Sequence, residues 1–152
     1  MPDIVLRNAL AEDVDLLFEW VNHPSSIEAK LKTDEPIAYV VHRKWLTAIL
    51  ADPNAKLWIA VVSTGSVGQV RVESEKPGLK VDIFVAHEFR GRGLGQKMLQ
   101  TLAVECEKLW PGQPLIAHVL HENQASMALF TQAGYELVDS ADTHSVLRRN
   151  AF

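Results

Sequence analysis

The stretch Val81-Asp-Ile-Phe-Val-Ala-His-Glu-Phe-Arg-Gly-Arg-Gly-Leu-Gly-Gln96 constrains the fold of this chain more than any other. An apolar strand runs into a turn of glycine and arginine and then directly into a helix with apolar residues on one face. That order gathers free backbone N–H groups at a helix N-terminus, where a phosphate or pyrophosphate is well received. Gly91, Gly93 and Gly95 carry no Cβ, so the loop can take positive φ and an anion can come close to the backbone. Arg90 and Arg92 add fixed positive charge. A phosphorylated cofactor is expected here.

The spacing narrows the choice. A nucleoside triphosphate loop ends in Gly-Lys-Ser/Thr, whereas Gly95 is followed by Gln96-Lys97-Met98. A dinucleotide fingerprint reads G-x-G-x-x-G with an acidic residue about 20 positions on. This loop reads G-x-G-x-G, and the stretch beginning at Trp110 has no carboxylate. Arg90-Gly-Arg-Gly93-Leu-Gly95 resembles instead the Arg/Gln-x-x-Gly-x-Gly/Ala signature of the GNAT superfamily of acyl-CoA-dependent N-acyltransferases. Farther on, Asn123-Gln-Ala-Ser126-Met-Ala-Leu-Phe130-Thr-Gln-Ala-Gly134-Tyr135 is similar to that family's motif Asn-x-x-Ser/Ala-x-x-x-Tyr/Phe-x-x-x-Gly-Phe/Tyr. The two motifs occur in order, with a helix and a strand between them, and the resemblance covers nearly the whole chain.

Patterning supplies the rest of the architecture. Strands are expected at 4–7, 57–62, 67–73, 79–86 and 114–120, with a closing hairpin at 135–138 and 145–149. Helices are expected at 12–22, 40–50, 94–109 and 124–132, a weaker one at 25–32, and a loop at 33–37. Leu94, Met98, Leu99, Leu102, Ala103, Cys106 and Leu109 make the stripe of the clearest helix. With 152 residues and 47% hydrophobic content, the chain reads as a single domain spanning 1–152, of the α/β (α+β) class. The resemblance implies a mixed, mostly antiparallel sheet flanked by helices, with one parallel pair of strands that splays to admit the cofactor's pantetheine arm.

Composition limits the partners. A net charge of −4 and scattered basic residues speak against a nucleic-acid surface. No apolar run reaches membrane-spanning length and Met1-Pro-Asp shows no basic leader, so a cytoplasmic location without a membrane partner is expected. The lone Cys106 excludes an intrachain disulfide and falls in the helix core. The six histidines show no ligand spacing, so no metal is expected. A homodimer is left open.

What the resemblance implies about the site can be stated residue by residue. Acetyl-CoA is the expected co-substrate. Its pyrophosphate would lie on Arg90, Gly91, Arg92, Gly93, Leu94, Gly95 and Gln96, and main-chain groups of Phe84 and Val85 would pair with pantetheine. Asn123 would hold the arm from the other side, with Phe130 beside it. Many relatives place at that position a tyrosine that protonates the leaving thiolate. Phenylalanine has no proton to give, and Ser126, one helical turn earlier, is the nearest hydroxyl. Asp82 interrupts an apolar strand and is the first candidate base, ahead of Glu73 and His42. Either Asp82 or Glu73 could instead hold the acceptor's ammonium.

The first half of the chain bears on the acceptor. Phe18-Glu-Trp20-Val-Asn22-His-Pro24 and Val41-His42-Arg-Lys-Trp45-Leu46 resemble a pattern in GNATs that acetylate nucleotide-linked amino sugars, such as the pseudaminic-acid-pathway enzymes. Val21 stands where that pattern has arginine. Similar patterns occur in enzymes acetylating ribosomal-protein N-termini. Tryptophan suits the apolar face of a sugar, and asparagine and histidine suit its hydroxyls, so Trp20, Asn22, His42 and Trp45 are candidate acceptor contacts. The expected activity is acetyl transfer to the primary amine of a small acceptor, with an amino sugar placed first. The alternatives are a protein N-terminal acetyltransferase and a non-catalytic acetyl-CoA-binding module.

Overall fold

The computed structural model describes residues 3–23 and 36–151. The expected helix at 25–32 lies outside the described residues, as does most of the expected loop at 33–37. The remaining elements follow the pattern of the sequence to within a few residues. They run β1 (Val5–Asn8), α1 (Val14–Val21), α2 (Tyr39–Ala51), β2 (Ala55–Val62), β3 (Gly65–Glu75), β4 (Gly78–Val85), α3 (Leu94–Leu109), β5 (Leu115–Leu120), α4 (Gln124–Gln132), β6 (Glu136–Ser140) and β7 (His144–Arg149). Short 3-10 turns precede α1 (Ala11–Asp13) and follow β4 (His87–Phe89).

The strands form one sheet in the order β1-β2-β3-β4-β5-β7-β6. Every neighbouring pair is antiparallel except β4 and β5, which are parallel. Strand alternation sends side chains to two faces. On one face Val70, Val72, Leu79, Val81, Ala117 and Leu147 pack against Met98, Leu99, Leu102 and Cys106 of α3 and Phe130 of α4. On the other, Leu57 and Ile59 of β2 and Phe84 of β4 meet Leu17 and Trp20 of α1 and Leu46 and Ile49 of α2. Leu109 leaves the expected stripe: it is half exposed at the last residue of α3. Cys106 is buried, and desolvation pushes its thiol up to about 12.

Backbones come close at Gly68 of β3. A Cβ there would run into the Phe84 carbonyl oxygen, and the terminal methyl of Met98 lies 3.0 Å from the same point. Gly68→Ala should therefore lower stability by about 2–3 kcal/mol. Denaturant unfolding checks this, and an unchanged midpoint would mean that β3 can move away at little cost.

Candidate active site

The parallel pair β4–β5 builds the centre of the site. Its register holds only at Leu79↔Leu115 and Lys80↔Ile116. From Val81 onward the two strands part. In the antiparallel ladder with β3, successive residues of β4 direct their peptide groups to alternate sides. The Ala86 N–H donates to Val67 O of β3 (2.8 Å), and the Leu79 N–H donates to Pro114 O just before β5 (2.8 Å). By that alternation, Val81, Ile83 and Val85 present their N–H and C=O groups to the gap, while Asp82 and Phe84 turn theirs to β3. The pair named from the sequence is thus divided: Val85 faces the gap with its main chain, and Phe84 contributes its ring to the other face.

Both walls of the gap end at features named from the sequence. Beyond β4, Gly91 and Gly93 take φ of 76°, in the left-handed region that favours glycine. Gly93 is the N-cap of α3 and has no side chain to cap the first-turn N–H groups, which remain available to an anion. Arg90 and Arg92 are exposed beside them. Arg90 Nε donates to Val85 O (2.9 Å), and its guanidinium lies 5.4 Å from the centre of the Phe84 ring. Leu94 is buried in the core and anchors the loop. Gly95 serves packing rather than the anion, since a Cβ there would come 2.9 Å from Leu129 of α4. Gln96 ties the same two helices, its Nε2 donating to Leu129 O (2.8 Å) and Gln132 Oε1 (3.3 Å).

Beyond β5, Asn123 is the N-cap of α4, its Oδ1 accepting from the Ser126 N–H (3.1 Å). That leaves the Asn123 amide nitrogen to donate elsewhere. Ser126 lies half-buried in the first turn. Phe130 is 4% exposed and meets Tyr135 edge-on, ring centres 5.0 Å apart. The two groups of the gap complement each other: a peptide-like edge along β4, and an uncapped helix start at its open end. This donor set fits a cofactor with amides in its arm and a pyrophosphate at its head.

On the sheet face opposite α3, Asp82 is the first β4 residue of that face past the last β4–β5 pairing. Its carboxylate is 55% exposed and stands 3.6 Å from Arg71, which also lies 3.6 Å from Glu73. The Arg71 guanidinium sits 5.6 Å from the centre of the Trp45 ring. Trp20 is buried and packs on Phe84 at 5.6 Å. The Asn22 amide clasps Ile37, donating to its C=O (2.9 Å) and accepting from its N–H (2.7 Å). His42 is 3% exposed, with its ring stacked 5.5 Å from Trp45 and tilted 5.6 Å from Phe18. Of the five residues expected to touch an acceptor, Glu73 is itself one of these carboxylates, and of the other four Trp45 alone combines partial exposure with a place beside them.

His42→Ala should accordingly act on stability, lowering it by about 2 kcal/mol through lost packing. A thermal melt set beside acceptor kinetics separates the two roles. An unshifted melt with a raised acceptor KM would make His42 an acceptor contact.

Arg71 went unnamed in the sequence because only tertiary pairing brings it to Asp82, and Lys80 and His118, the latter read as structural, meet only through the β4–β5 pairing. Arg71 sits opposite Asp82 across the β3–β4 ladder, and Lys80 pairs with Ile116 two residues before His118. Among the described residues no cluster of three or more His, Cys, Asp or Glu could hold a metal ion. No described helix is long and apolar enough to cross a membrane.

Comparison with known proteins agrees with this geometry. No match emerges among curated protein sequences. The fold is similar to that of an aminoglycoside acetyltransferase, AAC(6')-Ib, with acetyl-CoA bound: TM-score 0.82, 19% identity, 97% of this chain and 93% of that one. It is also similar to the spermidine N-acetyltransferase of Vibrio cholerae in complex with CoA and spermine (TM-score 0.83, 13% identity, coverage 96% and 93%). The ribosomal L7/L12 alpha-N-protein acetyltransferase RimL in complex with coenzyme A gives TM-score 0.83 at 16% identity, with coverage 98% and 94%. Residues 3–136 match the acetyltransferase (GNAT) domain family, so the chain belongs to the GNAT acetyltransferases and is an acyl-CoA N-acyltransferase.

Proposed function

We propose that this enzyme acetylates the primary amine of an amino sugar, one linked to a nucleotide, with Asp82 as the base. The observation that carries the proposal is the place of Asp82. It is exposed on the open sheet face, at the point where β4 and β5 part. A cofactor arm lying along Val81, Ile83 and Val85 from the open end of the gap would end near that point. Bound acetyl-CoA supplies an acyl thioester. The work of the chain is then to place an amine, remove its proton and protonate the departing sulfur.

Asp82 takes the proton of the arriving ammonium, directly or through a water molecule. The freed nitrogen lone pair attacks the acetyl carbonyl carbon, the C–S bond breaks, the sulfur takes a proton from Ser126, and the nitrogen gives up its second proton, through water, to restore the Ser126 hydroxyl as the amide forms. Phe130 has no proton to offer, and the Asn123 cap holds the first turn of α4 on which Ser126 stands. The Trp45 ring, stacked on His42 and covered by the Arg71 guanidinium, holds Arg71 in place, and Arg71 and Glu73 offer a donor and an acceptor to the hydroxyls of a sugar. The relatives act on chemically different amines, an aminoglycoside, a polyamine and a protein α-amine. The fold alone therefore leaves the acceptor to the side chains.

The test is CoA release across amino sugars, polyamines, amino acids and peptides at equal concentration. Turnover of amino sugars above all others is expected. Preference for peptides with a free α-amine, with no amino sugar turned over, would overturn the acceptor class. Binding of acetyl-CoA without release of CoA to any amine would make the chain a binding module.

A further inference from the structure

A cleft of about 210 Å³ lies on the same open face, just beyond the closed end of the β4–β5 gap. Its walls include Glu75, Lys76, Lys80, Ile116 and His118. Two ammonium groups face one carboxylate there. His118 is pushed down from its ordinary value by partial burial first, and then by the charges of Lys80 and His144, against a smaller opposing effect of Glu75. It is accordingly neutral near pH 7, able to donate one ring N–H without adding a charge. His144 of β7 stands beside it, ring centres 5.3 Å apart. Glu73 stands opposite Lys80 across the β3–β4 ladder but is engaged with Arg71 at 3.6 Å, so the lining itself, two ammonium groups to the one Glu75 carboxylate, favours an anion and opposes a polycation.

The position of the cleft gives that preference a use. Lys80 and Asp82 are two residues apart on β4 and share a face, a spacing of about 7 Å along a strand. That is the breadth of one sugar ring bearing an amine on one side and a phosphate on the other. We infer that the cleft of Lys76, Lys80 and His118 is the subsite for a phosphate or pyrophosphate of the acceptor. Held there, the acceptor would present its amine to Asp82 while the cofactor arm approaches from the opposite end of the gap. The inference rests on the amino-sugar acceptor proposed above and specifies which part of that acceptor is recognised.

Two measurements test it separately from that acceptor. The first titrates inorganic pyrophosphate into protein saturated with CoA, so that the loop at 90–96 is already filled, and follows backbone amide resonances. Shifts confined to residues 76–80 and 116–118 are expected, with affinity falling about tenfold in Lys80→Glu and by less in Lys80→Gln, which removes the charge alone. Retained dispersion in the spectrum reports that each variant is folded. Shifts elsewhere, or affinity unchanged in both variants, would overturn the subsite. The second compares turnover of glucosamine, glucosamine 6-phosphate and a UDP-linked 4-amino-4-deoxyglucose, the last two carrying amine and anion on opposite sides of the ring, and so distinguishes a sugar phosphate from a nucleotide-linked sugar as the source of the anion. A lower KM for the phosphorylated acceptors, lost in Lys80→Gln while glucosamine is unaffected, is expected. Pyrophosphate binding at the cleft with no amino sugar turned over would defeat the acceptor class and leave the subsite standing. Turnover of amino sugars indifferent to phosphate and to Lys80 would do the reverse.

Discussion

Gly93→Asp should weaken acetyl-CoA binding by about 100-fold or more, equivalent to roughly 2.7 kcal/mol. Two costs combine. At φ of 76° the backbone of residue 93 is in a region that a side chain disfavours. The new carboxylate would also stand at the uncapped start of α3, where the free N–H groups and the flanking Arg90 and Arg92 would receive the pyrophosphate. An aspartate there both repels the ligand and competes for its donors, and one lost charge-assisted hydrogen bond alone accounts for about 1.5–3 kcal/mol. Gly93→Ala serves as the control, carrying the backbone strain without the charge. Calorimetry showing wild-type affinity in Gly93→Asp would remove this loop from the cofactor site.

Asp82→Asn should slow turnover by about 100-fold at neutral pH, with acetyl-CoA affinity near that of the wild type. Asparagine keeps the shape and removes the proton acceptor. The acidic limb of the pH–rate profile should vanish with it. Stability should change by less than about 1 kcal/mol, because the Arg71 contact is long and exposed. An acidic limb that survives in the variant would assign the proton to another group. Ser126→Ala, measured alongside, should slow the release of CoA, and full activity in that variant would leave protonation of the sulfur to solvent.

What could be read in the sequence, and what could not, divides along a physical line. Local signals carried the strand–loop–helix at 81–96, since glycine spacing at a helix start means the same thing in any context. They also carried α3, whose stripe from Leu94 to Cys106 is buried as the periodicity requires. The stripe misled at Leu109, because periodicity says which face a residue is on but not where the helix outruns the sheet. Strand alternation put Asp82 on the face opposite Val81 and Ile83. It could not say which peptide groups of β4 were already spent on β3, so Phe84 and Val85 were grouped together. Asn22 and His42 show the same limit. Polar residues on a helix look alike in sequence whether they meet a ligand or, like the Asn22 amide, clasp a backbone fifteen residues on. Arg71 meets Asp82, and Lys80 meets His118, only through strand pairing, to which no local pattern points.

The unpaired edge of β4 has a consequence for how the apoprotein survives. A strand with open N–H and C=O groups ordinarily invites another chain, and natural sheets blunt such edges with charge, proline or bulges. At the open end Arg90 Nε occupies the Val85 carbonyl, but Val81 and Ile83 have none of these devices. Their protection is topological: the edge lies inside the sheet, with β5 diverging on its far side and helices α3 and α4 tied across by Gln96. An intruding polypeptide would have to thread its side chains between the sheet and the helices packed on it, whereas an arm of amides and methylenes with one dimethyl branch has far less to place. The seam thus tells its guest from an aggregating neighbour by girth, and the molecule can keep a permanently sticky strand without sticking to itself.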